Sequence, residues 1–168
     1  MLTALGAALA LQSTLSGLFV GSTLRVNLVL TAVVYLGLAF GAVTGMLAGM
    51  AGGLAQDALA GGIVGIGGLS KTLVGFLVGL LGAQFIVSTT VPRFVMFVAA
   101  TFLHELVFEG LQALVGGRGF SMHLYGTLIQ AFVNGAIGVS AFIIVENGPE
   151  LLQRRRMRRT ARVGKGRF

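Results

Sequence analysis

The stretch GIVGIGGLSKT, residues 62–72, nearly matches the nucleotide-binding P-loop. Gly65, Lys71 and Thr72 stand where a P-loop has its first glycine, its lysine and its hydroxyl residue. The residue before the lysine must also be glycine, so that backbone N–H groups can surround a phosphate, and this chain has Ser70 there. We therefore interpret these glycines as a tight, partly re-entrant connection between two helices, with Ser70 capping the second helix.

Charged and titratable residues within the apolar part of the chain form a second candidate site. Glu105 and Glu109 are four residues apart, which places both carboxylates on one face of a helix. Carboxylates at membrane depth need a cation or protons. We predict an outer polar cluster, at the outer level of the membrane, that consists of Arg25, Asp57, Lys71, Glu105, Glu109 and His123, with His104 as a further member. Three roles remain open: a buried network that locks helices together, a pocket open to the outside, and proton-coupled transport.

Metal binding and catalysis are not predicted. The segment HELVFE begins with His104 and Glu105, but the zinc-protease motif requires a second histidine four residues after the first, and that residue is Phe108. No nucleophile stands in a recognisable arrangement with a base and an acid. We predict that the protein is not an enzyme and has no catalytic residue, metal or cofactor.

The composition is that of an integral membrane protein. Hydrophobic residues make up 55% of the 168 residues and charged residues 10%, against about 25% charged residues in a typical soluble domain. A helix needs about 20 mostly apolar residues to cross a hydrocarbon core of roughly 30 Å. Strand-like alternation of apolar and polar residues is missing, so we predict an all-α integral membrane protein.

Turn residues divide this apolar region into about six transmembrane helices. We predict helices at about 2–22, 71–89, 93–115 and 123–146, and the segment 26–58 is too long for one crossing. A break near Gly37 to Gly41 divides it into two helices, whereas a five-crossing alternative keeps one overlong helix. The predicted domains are a polytopic transmembrane domain at 1–148 and a basic cytoplasmic tail at 149–168.

Glycines recur with helical spacing in two neighbouring segments. Four-residue spacing keeps one helix face free of side chains, which lets helix backbones approach closely. This face either packs internally or forms a groove for the transmembrane helix of a partner. We define the glycine ladder as Gly41, Gly45, Gly49 and Gly53, with Gly75 and Gly79 as the matching face on the next helix.

The net charge of +7 resides in the carboxyl-terminal tail. Its basic residues are Arg154, Arg155, Arg156, Arg158, Arg159, Arg162, Lys165 and Arg167. Because positive charge marks the cytoplasmic side, we predict a multi-pass protein of the bacterial inner membrane with both termini in the cytoplasm. The tail is expected to bind anionic lipids as a topology anchor, or in addition to dock a cytoplasmic protein, and nucleic acid binding is not predicted.

Four motifs, in order and spacing, resemble the family of the rod shape-determining protein MreD. They are LQSTL at 11–15, LRVNLVL at 24–30, GLAQDALAGG at 53–62 and GIGGLSKTLVGFLVG at 65–79. The resemblance covers residues 9–85 well and continues more loosely to 146. Family members often have Pro and Asp where this chain has Val26 and Asn27, so a charge found in relatives is absent here.

The resemblance implies a non-enzymatic scaffold subunit of the bacterial cell elongation complex, which directs rod shape and lateral peptidoglycan synthesis. Its implied partners are the transmembrane helix of MreC, the actin-like MreB, and RodA with its penicillin-binding protein. The implied fold is similar to the six-helix S-component of energy-coupling-factor transporters. A vitamin-binding S-component is accordingly the alternative function, although a similar fold does not transfer a ligand.

Overall fold

The computed structural model describes residues 2–18, 26–61, 63–84, 89–117, 119–120 and 122–164. These residues form six α helices and no strand, which confirms the all-α prediction. The helices are α1 (Leu2–Leu18), α2 (Leu28–Phe40), α3 (Ala42–Ala60), α4 (Ile66–Gln84), α5 (Thr90–Gly116) and α6 (Leu124–Gly164).

The break between α2 and α3 falls at Gly41, as predicted. Gly41 has φ +91°, a backbone conformation that favours glycine, and its N–H still donates to the carbonyl of Gly37 at 2.9 Å. After Gly41 the chain reverses and α3 packs against α2. A Cβ added at Gly37 of α2 would lie only 3.6 Å from the Cα of Gly45 of α3. This single residue converts one overlong segment into two packed helices.

The start of α4 and the end of α6 differ clearly from the sequence prediction. Helix α4 begins at Ile66 rather than at Lys71, so the glycines at 67 and 68 belong to its first turn. Helix α6 continues past the predicted end at residue 146 and through Pro149 to Gly164. The turn signals around Pro149 are followed by Leu, Gln, Arg and Met, which have high helix propensity.

Helix α2 occupies the centre of the bundle and contacts each of the other five helices. Its residues are apolar on nearly all sides, as expected of a helix that is largely buried, although Phe40 at its end is exposed. Leu30 and Val34 pack with Val74 of α4, Phe97 of α5 and Phe142 of α6 in one hydrophobic cluster. The other helices therefore take their positions around α2.

Three of the described helices are long and apolar enough to cross a membrane: Ile66–Gln84, Thr90–Gly116 and the Leu124–Glu146 part of α6. Helix α2 is apolar but shorter. Large hydrophobic side chains such as Leu73, Phe132 and Ile144 are exposed on the outside of the bundle, where lipid would cover them. The protein is an all-helical membrane protein, and the count of six crossings stays a prediction.

Candidate functional site

The first turn of α2 begins inside the bundle, and side chains from three places satisfy its backbone N–H groups. Asn134 Oδ1 of α6 accepts a hydrogen bond from the N–H of Asn27 at 3.2 Å. Gln12 Oε1 of α1 accepts from the N–H of Val29 at 3.0 Å, and Asn27 Oδ1 accepts from the N–H of Leu30 at 3.0 Å. A buried N–H without a partner costs about 1–3 kcal/mol, so these contacts stabilise the buried start of α2.

The start of α4 is capped by an aspartate from α3. Asp57 Oδ2 accepts hydrogen bonds from the N–H groups of Gly65, Gly67 and Gly68 at 2.9, 2.9 and 3.1 Å. The prediction that Ser70 caps this helix is wrong, because Ser70 lies within α4 and donates to the carbonyl of Gly67. The near-P-loop thus does surround an anion, and that anion is a carboxylate of the same chain.

Lys71 places a positive charge inside the bundle. Its side chain is 2% exposed, and its ammonium interacts electrostatically with the carboxylates of Asp57 and Glu105. Glu105 Oε1 also accepts a hydrogen bond from Gln130 Nε2 of α6 at 2.8 Å. A buried charge is tolerated when opposite charges and hydrogen bonds surround it. The structure therefore brings together Asp57, Lys71 and Glu105 of the predicted cluster.

His104 joins α5 to both capped helix starts. Its Nε2 lies 3.5 Å from Asn27 Nδ2, and its Nδ1 lies 3.2 Å from Ser70 Oγ. The amide of Asn27 donates at Nδ2, so Nε2 accepts, and a proton on Nδ1 then donates to Ser70 Oγ. Ser70 donates onward to the carbonyl of Gly67 at 3.2 Å. One neutral tautomer of His104 satisfies the whole chain of contacts.

A further branch of the network links α5 to α6. Asn134 Nδ2 donates to Thr101 Oγ1 at 3.4 Å, and Thr101 Oγ1 donates to the carbonyl of Phe97 at 2.9 Å. Asn134 therefore contacts α2 through its oxygen and α5 through its nitrogen. We call the connected set the buried polar network, and it consists of Asn27, Asp57, Ser70, Lys71, Thr101, His104, Glu105, Gln130 and Asn134.

The remaining members of the predicted cluster lie elsewhere. His123 is exposed and precedes α6, where its carbonyl accepts from the N–H of Thr127 at 3.0 Å. Glu109 is half-buried on α5, one turn beyond Glu105. Arg25 falls outside the described residues.

The glycine ladder lies against α4. A Cβ added at Gly45 would overlap the carbonyl of Gly75, and one added at Gly49 would overlap the carbonyl of Lys71. A Cβ at Gly53 would lie 2.6 Å from the carbonyl oxygen of Gly67. The backbones of α3 and α4 are therefore in direct contact along this face.

Gly79 and Gly41, at the ends of the two predicted glycine faces, have different structural roles. A Cβ added at Gly79 would collide with the backbone of Ala42, directly after Gly41. At Gly41 itself an added Cβ would meet no atom within 4 Å, and its positive φ is what excludes other residues. Gly41 therefore serves the turn, whereas Gly79 serves the contact between helices.

Arg93 and Glu146 join the start of α5 to α6 at the opposite end of these helices. Both terminal nitrogens of Arg93 donate to the carboxylate of Glu146, at 2.7 and 2.6 Å. The guanidinium also lies 4.5 Å from the ring centre of Phe142. This bidentate contact fixes the relative position of α5 and α6 where the basic tail begins.

The arrangement joins helices through fixed polar contacts. Among residues 2–164 as far as they are described, no group of three histidine or acidic side chains is placed to hold a metal ion. The acceptors and donors of the buried polar network are mostly engaged with one another across five helices. Such a network favours one packing of the bundle over its alternatives.

Sequence reasoning missed the neutral members of the network, namely Asn27, Thr101, Gln130 and Asn134, and it assigned Ser70 the wrong role. A usable signal existed on α6. Thr127, Gln130 and Asn134 are spaced by three and four residues within an apolar segment, which places them on one face. Polar residues on one face of a membrane helix point to a buried contact.

A family model described as rod shape-determining protein MreD matches residues 1–146, which include every residue of the buried polar network. No curated protein matches. No solved structure matches either, so the similarity to the S-component fold stays a prediction.

Proposed function

Because the chain belongs to the MreD family of rod shape-determining proteins, we propose that it is an integral membrane scaffold subunit of the bacterial cell elongation complex. In this role it holds partner proteins at the inner membrane during rod shape determination and lateral peptidoglycan synthesis. The observation that supports the proposal is the family match over residues 1–146. The family is one of structural shape-determining proteins and is not a known enzyme family.

The internal contacts of the bundle suit a scaffold. A scaffold must present the same outer surface to each partner, and side chains of the buried polar network fix α2, α4, α5 and α6 relative to one another. The ladder glycines bring α3 and α4 into backbone contact. A bundle fixed in this way loses little conformational entropy when a partner binds.

MreC is the proposed partner within the membrane, through its single transmembrane helix. Since α4 already covers Gly45, Gly49 and Gly53, we place the MreC contact on another face of the bundle. MreB and RodA with its penicillin-binding protein are proposed as direct or indirect partners.

The basic tail is proposed to lie on the cytoplasmic side, with both chain termini in the cytoplasm. Its arginines, among them Arg154, Arg155, Arg156, Arg158 and Arg159, are expected to bind anionic lipids of the inner leaflet. No observation favours the alternative of a vitamin-transporter S-component.

Depletion of the protein in a rod-shaped bacterium, followed by microscopy, tests the proposal. We expect cells to become round and to regain rod shape when the full chain is expressed again. Copurification of MreC from the same membranes measures the partner contact. Unchanged rod shape after depletion, with loss of a vitamin uptake activity, would contradict the scaffold function and support the S-component.

A further inference from the structure

We propose that Glu109, in a notch between α5 and α6, receives a basic side chain from the transmembrane helix of a partner protein. The inference rests on the proposed scaffold function, because it names the surface and the chemistry of the partner contact. It concerns the last two turns of α5, beyond the buried polar network.

The pairing of α5 with α6 locates Glu109. Phe97 of α5 contacts the position of Gly138, Thr101 contacts Asn134, and Glu105 contacts Gln130. Each step of four residues along α5 is matched by a step of four residues back along α6. The same spacing places Glu109 at the level of Gly126.

At this level the surface between the two helices is open. A Cβ added at Gly126 would meet only the Cβ of His123, at 4.0 Å, and a Cβ added at Gly110 would meet nothing within 4 Å. By contrast, a Cβ at Gly135 or Gly138, further along α6, would collide with a phenylalanine ring of α5. Gly126 therefore leaves a notch where another helix backbone can approach.

Glu109 lies on α5 at the level of this opening and has no hydrogen-bond or ion-pair partner among the described residues. Glu105, one turn earlier, binds Gln130, whereas no hydrogen bond or ion pair joins Glu109 to any residue that the structure describes. Glu109 and Gln112 are both half-buried and lie three residues apart on one face of α5. The face thus offers one carboxylate and one amide inside the apolar span Thr90–Gly116.

The charge of Glu109 determines what kind of partner fits. A helix that covers Glu109 removes its carboxylate from water or lipid headgroups, and an unpaired buried charge is strongly unfavourable. A cation on the incoming helix offsets this cost. Arginine suits the position best, because its guanidinium binds a carboxylate through two parallel hydrogen bonds and is weakly hydrated. We therefore commit to a single transmembrane helix with an arginine or lysine at the level of Glu109.

Site-specific photo-crosslinking in intact membranes tests the inference. A photoreactive residue at Gln112, in cells that co-express MreC, should cross-link to MreC within about one helical turn of a basic residue. The matched control places it at Leu69, which is exposed on α4, and should give lipid adducts only. Cross-links from Gln112 only to lipid, or only to a second copy of this chain, would overturn the inference.

Charge reversal gives a second, independent readout. Glu109→Arg should reduce copurification of MreC by about tenfold or more, and Arg→Glu or Lys→Glu at the cross-linked position of MreC should restore it. The folded protein should persist, because Glu109 forms no hydrogen bond or ion pair with a described side chain. If Glu109→Arg captures MreC normally while the unmodified chain still restores rod shape, the docking inference fails and the scaffold function stands.

Discussion

Asp57 Oδ2 lies 2.9 Å from the backbone nitrogen of Gly67, so the last turns of α3 cap the first turn of α4. Replacement of Asp57 by alanine leaves the N–H groups of Gly65, Gly67 and Gly68 without this acceptor. We expect Asp57→Ala to lower the free energy of unfolding by about 2–4 kcal/mol. Unfolding in detergent, followed by circular dichroism against denaturant, measures the change.

Asp57→Asn is the matched control for this cap. Its side-chain oxygen can still accept a hydrogen bond, but the negative charge opposite Lys71 is lost. We expect a smaller loss than for Asp57→Ala. Equal stability of Asp57→Ala and the unmodified protein would show that the cap is dispensable.

The glycine ladder should tolerate no side chain where α3 meets α4. Gly49→Ala places a methyl group against the carbonyl of Lys71, so the two helices must separate. We expect a loss of about 1–3 kcal/mol, and a larger one for Gly49→Leu. The yield of folded monomer in gel filtration and the unfolding midpoint report the effect.

Gly110→Ala is the control for the ladder, because an added Cβ there meets nothing within 4 Å. This change should be neutral or slightly stabilising, since alanine has the higher helix propensity. Similar losses for Gly49→Ala and Gly110→Ala would mean that helix contact does not explain the role of the ladder.

Lys71 should be coupled to Glu105. Lys71→Met removes the buried cation and leaves acidic groups near one another, which we expect to cost about 3–5 kcal/mol. The double variant Lys71→Met with Glu105→Gln should recover part of this loss, because the second change removes a charge that the first left uncompensated. A double-mutant cycle of unfolding free energies measures the coupling, and additive effects would contradict it.

The two histidines of the chain should differ in their effect on stability. His104→Phe removes the acceptor of Asn27 Nδ2 and the contact with Ser70 Oγ inside the bundle, and we expect a loss of about 2–4 kcal/mol. His123→Phe changes an exposed side chain and should alter stability by less than about 0.5 kcal/mol. Thermal unfolding of both variants under one set of conditions distinguishes them, and a stable His104→Phe would argue against the buried polar network.

Much of the fold follows from local features of the sequence. Helix identity, membrane character and the break at Gly41 depend on residue types within one or two turns. The spacing of Gly45, Gly49 and Gly53 likewise defines a bare helix face without any knowledge of what covers it. Local periodicity carries this information because a helix repeats every 3.6 residues whatever surrounds it.

The start of α4 was not predictable in the same way. The sequence places Ser70 in a plausible capping position, but the cap comes from Asp57, on the preceding helix. Asp57 can accept from three N–H groups only because glycines allow the two helix backbones to touch. The residue at which α4 begins is therefore determined by tertiary packing.

The sequence by itself determined an all-helical membrane protein with a bare glycine face, a break at Gly41 and acidic residues within its apolar segments. Only the tertiary structure decided which polar groups meet. Asn27 and Asn134 are 107 residues apart, and their contact depends on how α2 and α6 pack around a shared core. Hydrogen bonds act over about 3 Å, so their partners are set by the packing of whole helices and not by spacing along the chain.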